Sequence, residues 1–133
     1  MVSPYLYPGL SMDCSHTQRE LRQAYFHRVW GAVARACGLD PAVRTTMPGR
    51  RQRVVMARYL AMYIATDGVG LSQTSYYRQL AEFFGRDRTS VYHAIRVVDT
   101  MLSVYGQRWE YYQPLHDAKA LLVGEVNASS ETR

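Results

Sequence analysis

From Thr17 to Leu122, every stretch of this chain with a readable pattern carries its apolar residues at helical spacing, which confines it to an all-α fold. From Thr17 to about Gly38, Leu21, Tyr25, Val29 and Val33 recur four residues apart with Trp30 beside them. Met56, Tyr59, Leu60, Tyr63 and Ile64 form a second stripe, which leaves Arg51 and Arg58 on an opposite, basic face. Ser75 to Phe84 suits a short third helix with Leu80 and Phe84 inward, and Gly85 is the residue type that often ends one. A fourth helix begins at Asp87 or Thr89. It turns Val91, Ile95, Val98 and Leu102 to one side and Thr89, His93 and Arg96 to the other. Trp109 to Leu122, with Tyr112, Leu115 and Leu122, completes a domain of four to five helices.

The breakers between these stretches set the organisation. Pro4, Pro8 and Gly9 make residues 1–16 an irregular N-terminal arm, which Tyr5 and Tyr7 could dock. Asp40 to Gly49 is a connector with Pro41, Pro48 and Gly49, and two glycines between Asp67 and Ser72 stop the second helix. The expected layout is the arm, a helical domain over 17–103, an additional C-terminal helix over 104–124 and a disordered polar tail over 125–133. Cys14 and Cys37 match no metal or redox spacing and read as reduced thiols, without a disulfide. No signal-peptide pattern and no apolar run of membrane-spanning length is present, so a cytoplasmic protein with no membrane partner is expected.

Charge is informative through its distribution. Between Pro41 and Val98 there are nine arginines against Asp67, Glu82 and Asp87, whereas the whole chain carries only +5. Fifteen of the sixteen basic residues are Arg, whose planar fork suits phosphates and guanine edges; Arg-rich codon usage in a high-GC genome explains the same bias equally well. The short helix at Leu80–Phe84, the turn at Gly85 and a following helix with a polar outer face outline a helix-turn-helix. In that motif the N-terminal residues of the second helix meet base edges in the major groove.

The stretch ARYLAMYIATD (57–67), followed by FGRDRTSVYHAIRVV (84–98), resembles the C-terminal DNA-binding domain of the bacterial replication initiator DnaA. The resemblance runs from about Arg19 to Leu102. It implies that Asp87, Arg88 and Thr89 read bases in the major groove, that Thr89 and Ser90 lie near phosphates, that Arg58 contacts a phosphate and that Arg50 enters the minor groove. Asp accepts from the cytosine amino group, Arg forks onto guanine and the Thr methyl meets thymine. The DNA-facing set is completed by Arg51, Arg53, Arg86, His93 and Arg96. Ordinary readings stand beside these: Asp87 as a helix cap, the Arg50–Arg53 cluster as a solvated loop, His93 as a surface residue.

The chain departs from the family pattern in four places. Arg88 replaces a His, one Gly of a Gly-Gly pair is missing before Arg86, the loop from Asp67 to Ser75 is longer, and Thr66 stands where the family has Lys. Base preference is therefore expected to differ from that of the initiator's box. No Gly-rich phosphate loop is present, so neither the ATPase module nor a nucleotide is expected. His16, His27, His93 and His116 form no metal-binding spacing, and no nucleophile has a base partner; no enzyme activity, metal or cofactor is expected.

The expected function is sequence-specific binding of double-stranded DNA, as a transcriptional regulator of phage or mobile-element origin. RNA polymerase or another protein would engage the N-terminal arm or the C-terminal helix. The alternatives are a replication-control protein that competes for initiator boxes and a protein-interaction module on a helix-turn-helix fold.

Overall fold

A computed structural model describes the backbone of residues 10–44 and 52–131 and the side chains of residues 17–44 and 52–124. Its elements, in order, are α1 (Leu10–Cys37), a 3-10 turn (Pro41–Val43), α2 (Gln52–Ala65), α3 (Thr74–Phe83), α4 (Arg88–Tyr105), a second 3-10 turn (Gly106–Arg108) and α5 (Tyr112–Glu131). Among the described residues there is no strand, and the fold is all-α.

Helix α1 starts seven residues earlier than its apolar pattern suggested, at Leu10 rather than Thr17. Pro8 and Gly9 lie immediately before that start, and neither residue type recurs until Gly31, so nothing in between interrupts the helical hydrogen bonds. The expected irregular arm therefore gives way to helix from Leu10; Tyr5 and Tyr7 lie outside the described residues. At the other end α5 continues to Glu131, past the point where a disordered tail was expected, and the family of good helix formers from Ala118 to Leu122 leads into it.

The inward face of α1 is rotated from the expected stripe. Phe26, Val29, Trp30 and Val33 are buried, Tyr25 is half-buried, and Leu21 is 67% exposed. The aromatic residues of α3 account for the shift. The Phe26 ring stands edge-on to Tyr76 at 5.3 Å, and Trp30 is edge-on to Phe84 at 5.6 Å. Next to them, Arg22 donates to the Ser75 hydroxyl at 3.3 Å and to Gln79 Oε1 at 3.4 Å. The Trp30 indole N–H donates to the Pro41 carbonyl at 2.8 Å and so ties the first 3-10 turn to α1.

Helix α2 lies between α1 on one side and α4 on the other. Nine of its fourteen residues are buried, so the expected division into one core face and one basic face does not hold. A helix with neighbours on both sides has little perimeter left for water. Its C-terminal end is sealed by α3: the Tyr76 hydroxyl donates to the Ala65 carbonyl, and the Tyr77 hydroxyl donates to the Val69 carbonyl at 2.8 Å. The last carbonyls of a helix have no partner within it, and these two tyrosines supply donors there and in the loop that follows.

Helix α5 closes the fold. It lies along α1 and buries Leu115 and Ala118, with Trp109 buried just ahead of it. Full burial of a Leu side chain stabilises by about 1.5–3 kcal/mol, so α5 is a working part of the core.

Candidate nucleic-acid interface

The turn between α3 and α4 is built from local rules. The Arg86 N–H donates to the Ala81 carbonyl at 2.9 Å and the Gly85 N–H to the Glu82 carbonyl at 3.0 Å, the paired bonds of a Schellman ending. That ending needs a residue in the left-handed region, and Gly85 has φ 66°. Two residues on, Asp87 takes an extended conformation and caps α4, its Oδ1 accepting from the Ser90 N–H at 3.1 Å and from the Ser90 hydroxyl at 3.2 Å. The capping reading of Asp87 is thus realised. Both bonds go to Oδ1.

Against this N-terminus stands one face of α2. Val55, Arg58, Tyr59 and Met62 join Arg86, Asp87, Thr89, Ser90 and His93 around an open groove of about 590 Å³. The His93 ring is edge-on to Tyr59 at 5.7 Å. Arg58 is only 3% exposed, contrary to its expected place on an outer basic face, and it packs beside the turn that ends at Arg44. One of its nitrogens donates to the Arg44 carbonyl at 3.4 Å. Burial lowers the Arg58 pKa, and the positive charge of Arg86 lowers it further. The groove thus brings two guanidinium groups that disfavour each other beside the capped, electropositive start of α4 and the Asp87 carboxylate.

Six of the eleven residues singled out from sequence therefore share one groove: Arg58, Arg86, Asp87, Thr89, Ser90 and His93. Arg88 is exposed at the first position of α4. Two others lie elsewhere. Arg53 is exposed and close enough to Cys37 and Tyr111 to favour their ionised forms, which puts it toward α1 and the start of α5. Arg96 is exposed on α4 and lines a separate cavity. Arg50 and Arg51 lie outside the described residues. Val55 and Met62, which with Tyr59 form the apolar wall of the groove, were not singled out, and Tyr59 was read as part of the core stripe; their spacing of four and three residues around Arg58 was the available signal.

Among the described residues no group of His, Cys, Asp and Glu could hold a metal ion, and no helix is long and apolar enough to cross a membrane. Cys37 is a buried free thiol whose pKa burial raises.

An all-α unit in which a short helix, a four-residue turn and a longer capped helix face a basic groove is a helix-turn-helix protein. Comparison with protein families matches residues 27–98 to the model described as bacterial dnaA protein helix-turn-helix, over more than half of the chain. The chain belongs to that family, whose helix-turn-helix is a DNA-binding unit rather than an enzyme. No curated protein and no solved structure matches it. The matched span begins within α1 and ends within α4, so α5 lies outside it.

Proposed function

We propose that this protein binds double-stranded DNA sequence-specifically by setting the N-terminus of α4 into the major groove. The observation that carries the proposal is the groove itself, where Arg58, Arg86 and the start of α4 meet. In this reading Thr89 and Arg88 meet base edges, Arg88 forking onto guanine and the Thr89 methyl touching thymine. Asp87 holds the helix start and offers Oδ2 to a cytosine amino group. Arg58 and Arg86 hold a phosphate, the Ser90 hydroxyl turns from Asp87 Oδ1 to donate to it, and His93 lies along the same edge. Arg50, by the family resemblance, enters the neighbouring minor groove with Arg51 beside it.

Selection of bound sequences from random duplex DNA tests this on the wild type and on Thr89→Ala, at two salt concentrations. The expected result is a defined motif that Thr89→Ala blurs, with affinity falling steeply as salt rises. An identical motif from both proteins would remove Thr89, and the α4 N-terminus with it, from base reading.

For its biological role we propose a transcriptional regulator of phage or mobile-element origin. What supports this is the build of the chain: α5 lies outside the family match yet packs into the core, presenting a surface in addition to the DNA-reading unit. A motif located in promoters, with a reporter responding to exposed α5 substitutions such as Val123→Glu, is the expected outcome. A motif identical to the initiator's box would turn the reading to replication control.

A further inference from the structure

A second cavity, of about 660 Å³, opens on the other flank of α4 and is lined by Leu71, Tyr92, Ile95, Arg96, Asp99 and Thr100. We infer that it holds the sugar–phosphate backbone of the bound duplex at the edge of the major groove, with Arg96 on a phosphate and Leu71 and Tyr92 against deoxyribose. The inference rests on the duplex reading above and extends it to a loop with no assigned role.

Position along the helix is the first argument. Thr89, His93, Arg96 and Thr100 are all exposed and recur at four-, three- and four-residue steps, so the cavity borders the face that is proposed to meet DNA. Arg96 lies eight residues beyond Arg88. At 1.5 Å per residue that is about 12 Å along the axis, more than the roughly 8.5 Å depth of the major groove. With α4 entering end-on and its start at the base edges, Arg96 stands at the level of the phosphates.

The wall of the cavity is the second argument. Leu71 is 70% exposed, and its loop is anchored. The Tyr77 hydroxyl holds the Val69 carbonyl, and the Tyr77 ring lies 5.1 Å from that of Tyr92 on α4. Leu71 is therefore presented beside Tyr92 on a fixed support. Deoxyribose offers C–H edges to such a surface while its phosphate reaches the cation on the rim. The acid in the lining, Asp99, accepts from the Tyr63 hydroxyl and keeps its charge beside Arg96; burial first, and then the charge and hydrogen bond of Asp99, raise the Tyr63 pKa.

Hydroxyl-radical footprinting of the full chain on a duplex carrying the selected motif tests the inference. The wild type should protect a backbone segment flanking the motif. Leu71→Ala and Arg96→Ala should each lose that protection and weaken binding by about three- to tenfold with the motif unchanged, and Arg96→Ala should reduce the salt slope by about one. Thr89→Ala should blur the motif and keep the flank, which separates the two contacts. Leu71 is mostly in solvent, so unchanged thermal unfolding of Leu71→Ala is the check that the fold survives. Unaltered flank protection and affinity in Leu71→Ala overturn the inference and leave this surface to a protein partner. A wild type that protects no segment at all overturns the duplex reading and this one together.

Discussion

At the residue scale, Asp87 and Arg58 show how one side chain can carry both a structural and a binding role. Asp87→Ala removes an N-cap and should cost about 1 kcal/mol, whereas Asp87→Asn keeps an acceptor for Ser90 and should cost little. Thermal unfolding of the two variants separates the cap from any base contact: a changed base preference in Asp87→Asn at wild-type stability would assign Oδ2 to DNA. Arg58 stands in the opposite balance. A buried cation with one modest hydrogen bond and a like charge nearby contributes little to the fold. Arg58→Met is expected to leave the melting temperature of the free protein unchanged or raised while lowering DNA affinity and the salt slope. A large loss of stability in that variant would make Arg58 a structural residue.

At the element scale, the turn and the last helix matter most. Gly85→Ala puts a side chain where φ is 66°, which costs about 1 kcal/mol, and it also strains the ending that sets α4 against α3. Its expected signature is a loss of DNA affinity larger than the loss of stability predicts, measured by binding well below the unfolding temperature. Helix α5 lies beyond the family match, yet Leu115 is fully buried in the common core. Leu115→Ala should cost about 2–5 kcal/mol in denaturant unfolding, as a core truncation does. An effect under 1 kcal/mol would mean that α5 is only loosely attached. Truncation before α5 is accordingly expected to destabilise the whole fold, so surface substitutions are the cleaner way to ask what α5 binds.

At the scale of the whole molecule, five tyrosines with raised pKa values make stability dependent on alkaline pH. Burial raises the pKa of Tyr25, Tyr63, Tyr76, Tyr77 and Tyr111 above the ordinary 10.0. Between the unfolded and folded values the unfolded chain has lost protons that the folded one keeps. Stability is therefore complete below pH 10 and falls as pH rises through the folded values, by at most about 1.4 kcal/mol per pH unit for buried Tyr76 and Tyr77 and by less for the half-buried Tyr25, Tyr63 and Tyr111, where water screens the shift. Equilibrium unfolding from pH 9 to 11.5 should show this decline, and Tyr76→Phe should make it shallower. A flat profile would mean that these hydroxyls are as exposed when folded as when unfolded.

The existence of the helices, the glycine turn and the capped start of α4 were legible in the sequence, because each is encoded within a few neighbouring residues. Periodicity marks a helix, Gly85 permits a positive φ, and Asp87 lies three residues before the N–H it accepts. The family motifs at 57–67 and 84–98 are local in the same sense. Which face meets which was decided by packing between segments far apart in the chain. Phe26 rather than Tyr25 turns inward because α3 brings Tyr76 and Phe83 to it. Arg58 is enclosed because α2 has neighbours on both sides, and it shares a groove with Arg86 only because α4 crosses that face. Arg53 and Arg96, equally basic in sequence, are carried elsewhere by the same packing. Local chemistry determined the elements of this protein, and long-range contacts determined which charges the site contains.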